Sequence, residues 1–432
     1  MRYTFWLIIF SLTSFTLTAR SQQPDTTLVQ TYYDSARTLL KEKYHILGSD
    51  SSRVHGLYQK FHFGGKLAAR ARFVEGKLDG PLKEYYPEGP LQRITPYHMG
   101  TKEGKVVALS PAGDTLQTAT FADDKLEGEM QIFYEDGTIK NRTLFRNGKP
   151  EGTIESFYPG GQLKEVITYH NGQQHGPART YYEDGSLQSE FTYRHSIIDG
   201  LVTEYHPNGQ VADKTYFKKG QRHGSSQSFG REGQLLRDET YRNGFLEGES
   251  RYYFPDGQLQ KQARHQKGRP VGEQLTYFEN GRKKQMIRFD DSGKTIEAFY
   301  PDGTPRESRS FSPDGDKEGS WRFYYQNGQL SREEAYVNGL LQGVLLTYYE
   351  NGRLKSKQTY NKGRKSGIHE TFYPDGTPKS NTEYYFDTPQ GSYRAYHENG
   401  QLKTEGTYLG GKKTGTWKTY DADGKLLETT EF

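Results

Sequence analysis

Histidine is the first residue type to consider for chemistry, because imidazole ligates metals and moves protons near neutral pH. The chain has 12. His55, His175 and His223 each precede a recurring glycine, while His62, His206 and His397 share a second recurring slot. Equivalent slots of a repeat lie far apart in space, whereas a zinc site gathers its ligands in one tetrahedral shell. No metal site is expected. No G-x-S-x-G nucleophile motif occurs. The run Asp314-Gly315-Asp316-Lys317-Glu318-Gly319 resembles a calcium loop only in its acidic spacing and lacks the full set of oxygen ligands. An altered hairpin connection accounts for it more simply. The many glycines do not open a helix after a strand, as a phosphate loop requires. The expectation is a protein without catalytic residues and without cofactor, not an enzyme.

Aromatic residues offer a different chemistry. Tyr86, Tyr134, Tyr158, Tyr182, Tyr325, Tyr349 and Tyr373 occupy one slot, the sixth after a recurring glycine. The fifth slot accepts almost only Phe or Tyr and reads as packing. The sixth also accepts Ser110, Gly230, Asp421 and three histidines, a tolerance that suggests exposure. These tyrosines would then form a partner-facing ladder. The alternative is that they stack along a sheet as cross-strand aromatic pairs do. The second slot is often apolar (Leu82, Val106, Ile154, Trp321, Trp417) and shares parity with the sixth. A bulge in the first strand would reconcile the two.

The elements that position this ladder follow from a period. Glycines recur at 56, 80, 104, 128, 152, 176, 200, 224, 248 and 272, and again at 319, 343, 367, 391 and 415, in steps of 24. A second series runs nine residues behind, from Gly65 to Gly281. Before each of these glycines stand turn residues, as in Pro255-Asp256-Gly257 and Glu350-Asn351-Gly352. Pro presets φ, Asp or Asn tolerates the tight position, and Gly takes positive φ. That is the chemistry of a hairpin loop built on a type I turn with a glycine bulge. An aliphatic residue follows two places later and a second aromatic eight places later. A looser glycine-containing connection leads into the next unit. Each unit reads as two short strands, and no unit holds a helix-length pattern. The fold expected is all-β, an elongated tandem array of about 16–17 hairpin repeats forming one long twisted antiparallel sheet. Between Gly272 and Gly319 the period slips. The slip falls in the connections near 290–298 and 312–318, where bending or fraying is expected.

Composition agrees. Only 32% of residues are hydrophobic, while 34 Tyr and 23 Phe spread apolar area thinly along the chain. A net charge of +4 shows no basic stripe of the kind nucleic acid requires, so no nucleic-acid partner is expected. With no cysteine there is no disulfide and no lipoprotein anchor. Phe5 to Leu17 is an apolar run behind Arg2, short for a bilayer of about 30 Å and suited to a signal-peptide core. Residues 1–21 are read as a cleaved signal peptide, which leaves no integral membrane segment and places the protein in the periplasm or outside the cell. Residues 22–55 read as a degenerate cap unit, with Ala36 in the turn-glycine slot, followed by an insertion from Leu47 to Val54. Residues 28–55, with LVQTYYDSARTLLKEKYHIL at their start, also fit an amphipathic helix. The array proper is 56–432.

The segment 343–367, GVLLTYYENGRLKSKQTYNKGRKSG, carries Gly-x-x-x-x-Tyr-Tyr-x-x-Gly-x-Leu followed by Tyr-x-x-Gly-x-x-x-Gly. It resembles the MORN-repeat variant as found in the YwqK family of antitoxin-like bacterial repeat proteins, a likeness that extends over 56–432. The resemblance implies a scaffold, a dimerisation module or a lipid-binding surface, or neutralisation of a toxin. From the residues themselves the expected function is non-enzymatic binding of a partner protein or surface polysaccharide. Cell-wall or carbohydrate binding is a further reading, since tyrosine ladders suit stacking on sugars.

Overall fold

The computed structural model describes residues 25–432; the expected signal peptide lies outside them. The described residues contain 39 strands and no α-helix. Neighbouring strands pair antiparallel throughout each of two compact units, one ending at Gln173 and the other Gln174–Phe432. Both units are built from the same hairpin.

In the first unit the strand Val54–Phe61 pairs with Leu67–Val74, running from Gly56 opposite Phe73 to Phe61 opposite Leu67. The turn between them has one form. His62 N–H donates to the Lys66 carbonyl at 2.8 Å, and Gly65 N–H donates to the His62 carbonyl at 2.8 Å. Gly65 has φ +80°. This is a type I turn closed by a glycine bulge, as the turn residues require. Position 185 repeats it in the second unit, with φ +84° and open space where a Cβ would lie. Gly185→Val is therefore expected to cost about 1–3 kcal/mol through backbone strain alone. Ser186→Val beside it should cost less. Comparing the denaturation midpoints of the two variants checks the assignment, and equal midpoints would refute it.

The connection between hairpins is tighter than its sequence suggests. Arg146 pairs with Lys149 across Asn147-Gly148, whose φ values are +52° and +76°. Both central residues at positive φ define a type I′ turn, whose twist matches the flanking strands. Asn243-Gly244 and Asn338-Gly339 repeat it. The first glycine of each unit marks a register shift: Ala119 faces Met130 but Phe121 faces Leu126, so the first strand bulges around Gly128. A second shift, between Ile132 and Phe133, follows the hairpin turn in the strand opposite.

The period slip has a physical cause. Asp290 pairs with Gly293 and the register then runs unbroken to Gln285 opposite Ala298. The first-strand bulge is absent there, which shortens that repeat. In the next connection, Ser312 to Asp316 forms a turn of the hairpin-loop type, with Gly315 at φ +92°. That adds a residue. Strand pairing continues through both segments.

The N-terminal segment is a hairpin, Thr26–Tyr32 with Leu40–Leu47, and not a helix. Its turn is longer than the repeat rule allows. Arg37, not Ala36, takes the left-handed conformation, at φ +56°. Asp34 closes the loop by accepting from the backbone N–H groups of Thr38 and Leu39.

One face of the strands is the interior. It carries slots two and four of the first strand and the residues paired with them. Ala71, Ala119, Ala178 and Ala263 are buried there, as are Trp321 and Trp417.

Candidate binding edge

The sixth slot lies at the start of each hairpin turn, where it is half-buried. In the first unit Tyr86 Oη donates to the Leu109 carbonyl at 2.9 Å, and Tyr134 Oη to that of Phe157 at 2.8 Å. In the second unit Tyr182 Oη reaches the Tyr205 carbonyl at 2.7 Å. Tyr325, Tyr349 and Tyr373 make the same bond to Tyr348, Phe372 and Tyr396 at 2.8–2.9 Å. Each acceptor is the fifth-slot residue of the following repeat. The hydroxyl therefore ties one hairpin turn to the strand end of the next.

This bond explains the tolerance of the slot for histidine. His62, His206 and His397 place Nε2 at 2.9–3.0 Å from the carbonyls of Tyr85, Phe229 and Tyr420. A carbonyl only accepts, so Nε2 carries the proton. Imidazole and phenol are interchangeable here because each presents one N–H or O–H donor at the end of a ring. Sequence reasoning missed this rung, although the recurrence of Tyr and His in one slot was its signal.

A second set of rungs comes from the turn asparagines. Asn327 and Asn351 donate Nδ2 to the Glu350 and Pro374 carbonyls at 2.8 and 2.9 Å. Lysine three places beyond the turn glycine lies over several of the ladder rings. Lys140 and Lys164 sit 5.5 and 5.4 Å from the centroids of Tyr134 and Tyr158, and Lys355 and Lys379 sit 5.5 and 5.4 Å from those of Tyr349 and Tyr373. These are cation–π distances. The opposite edge is zipped differently. Glu127 and Glu151 accept from the backbone N–H of Asn147 and Asn171 at 2.7 Å, closing the type I′ turns.

The interior face holds the most perturbed groups. Glu239, buried, accepts from Tyr241 Oη at 2.9 Å and from Tyr252 Oη. Burial and this carboxylate both push the Tyr252 phenol up. Burial and Glu334 likewise push Tyr336 up to about 12. These phenols stay protonated as hydrogen-bond donors, which suits structure and offers no acid or base near neutral pH. Among the described residues no group of three His, Asp or Glu is placed to hold a metal ion, and no helix is long and apolar enough to cross a membrane.

Hairpins stacked with one fixed register define a tandem β-repeat protein. Nine segments match the MORN repeat variant: 126–147, 150–171, 174–195, 198–219, 246–267, 317–338, 341–362, 389–409 and 413–432. Over those segments the chain carries MORN-type repeats. No curated protein matches it. Solved structures similar to it include the TcdB2-TccC3-Cdc42 complex, at 12% identity and a TM-score of 0.12, covering 89% of this chain and 24% of that one. TcdB2-TccC3 without its hypervariable C-terminal region is 12% identical with a TM-score of 0.15, covering 94% and 26%. The Photorhabdus luminescens Tc holotoxin pore is 11% identical with a TM-score of 0.14, covering 94% and 23%. The chain spans about a quarter of the length of each of those chains.

Proposed function

We propose that this is a non-enzymatic, exported repeat protein that binds a partner protein or surface polymer through contacts distributed along its hairpin-turn edge. The observation that carries this reading is the repetition of one surface motif, a half-buried tyrosine with its hydroxyl tied down and, at several rungs, a lysine over its ring. Repeated weak contacts add through effective concentration. Fixing the ring beforehand lowers the entropy lost on binding. Export rests on the apolar run from Phe5 to Leu17 behind Arg2. Neutralisation of a toxin, in the manner of the YwqK family, is a narrower form of the same reading and rests on the repeat resemblance. Sugar stacking is less favoured, because lysine already lies over ring faces that a sugar would use.

Tyr325, Tyr349 and Tyr373 provide the test. Changing all three to Phe removes three hydrogen bonds at about 1 kcal/mol each and keeps the rings. That variant should melt earlier yet still retain the envelope component captured by the wild-type chain. Changing all three to Ala should lose the component while circular dichroism still shows the strands. If the alanine variant retains it as well as wild type, the edge is not the binding surface. A turnover abolished by a single substitution elsewhere would overturn the non-enzyme reading.

A further inference from the structure

On the face opposite the interior, charge is normally compensated within the sheet. Arg142 lies between Glu129 and Glu155 at 2.9 and 2.8 Å. Arg288 has Glu273 at 2.9 Å, and Arg322 has Glu333 at 2.8 Å. The start of the first unit departs from this pattern. Register places Lys43 opposite Gln59, Gln59 opposite Arg70, and Arg70 opposite Lys83. All four side chains therefore lie in one row on that face. Arg72 stands two residues along the strand from Arg70 and shares its face. No strand from Leu40–Leu47 to Leu91–His98 places an Asp or Glu there. Glu42 and Glu84 alternate to the interior face, and at the connections Glu75 lies 3.5 Å from Arg53 and Asp79 lies 3.4 Å from His98. Among the described residues, none of Lys43, Arg70, Arg72 and Lys83 has an ion-pair partner within 4.0 Å.

Two cations directly opposite on antiparallel strands destabilise a sheet. Arg70 against Lys83 is such a pair, in a chain that elsewhere supplies the compensating glutamate. Beside them is a depression of about 440 Å³, lined by Leu57, Arg70, Arg72, Pro81 and Lys83. Leu57 is 42% exposed, and Pro81 faces Pro96 across the strands. The surface thus pairs a row of uncompensated positive charge with an apolar strip.

We infer that this face of the first unit is a docking site for an extended acidic peptide segment of a partner protein, one that alternates carboxylate and aliphatic side chains. Charge complementarity sets the sign of the ligand. The leucine and proline strip favours a peptide, since a polyuronate or a nucleic-acid backbone has no aliphatic side chain to place against it. This site lies on a different surface from the tyrosine edge and does not depend on it.

The test uses the full chain and a labelled peptide alternating Glu and Leu, with polygalacturonate, oligothymidylate and phosphatidylglycerol vesicles as separate probes. The peptide should bind more tightly than any of these and weaken as salt is raised. Lys83→Glu should reduce peptide binding at least about ten-fold. The same variant should melt no earlier than wild type, because it replaces a like-charge pair with an attractive one. Arg251→Gln, in the second unit, should leave binding unchanged. Peptide binding that survives Lys83→Glu would overturn the proposal, as would tighter binding of any other probe.

Discussion

Trp321→Ala is expected to destabilise the second unit by about 3–5 kcal/mol, the usual cost of deleting a buried tryptophan. Trp321 is only 5% exposed. Its ring lies 5.1 Å from both Phe311 and Tyr336, and Lys317 and Arg309 stand over it at 4.7 and 5.6 Å. Its Nε1–H donates to the Ser310 carbonyl at 2.9 Å. Its neighbours Phe311 and Tyr336 are themselves held in paired strands and are poorly placed to fill the space it would leave. The loss should remain local, because a repeat contacts chiefly its neighbours. Hydrogen exchange should rise in the strands Lys317–Tyr324 and Leu330–Val337 while the strands around Trp417 keep their protection. Trp321→Phe should recover part of the stability. A uniform loss of protection across the unit would show that its repeats do not behave as separable modules.

Gly406→Ala carries the other large effect, and its sign is opposite to the usual one. In an ordinary strand Ala is more stable than Gly by roughly 0.5–1 kcal/mol. Gly406 pairs with Tyr393, and a Cβ there would lie 2.2 to 2.6 Å from the Cδ2, Cε2 and Cγ atoms of Trp417. Trp417 has no room to retreat: it stacks on Tyr393 at 5.4 Å, meets Tyr408 edge-on at 5.2 Å, and lies 6.1 Å from Phe432. Overpacking should therefore cost about 3 kcal/mol, at the upper end for one added methyl group. The same substitution made in a Trp417→Ala background should cost nothing, so a double-mutant cycle isolates the collision. Additive costs would mean that the glycine serves the backbone and not the ring.

Local chemistry is what the sequence by itself determined. The turn glycines at 65 and 185 announce positive φ because a hairpin closed by a type I turn has one position that only a residue without Cβ takes at no cost. The alternation of aromatic and polar residues then makes strands, and a constant period makes every hairpin alike. The resemblance carried by residues 343–367 extended that to the repeat type. The longer cap turn was not legible, because Arg37 adopts the left-handed conformation that the pattern assigned to Ala36. The connections read as loose, although Asn147-Gly148 is the residue pair that a type I′ turn requires.

Register is what the tertiary structure decided. A two-residue shift near most first glycines sets which residue of the neighbouring strand each slot meets, and no single repeat reveals it. With that register in place, the sixth-slot hydroxyl meets a carbonyl in the following repeat, which turns a ladder read as surface into a row of half-buried rungs. The same register brings Lys43, Arg70 and Lys83 into one line, although up to 40 residues separate them in the chain. The physical reason is that a strand sets only the alternation of its own side chains. Which neighbour each meets depends on bulges and turn lengths, and those are settled by the hydrogen bonds between hairpins.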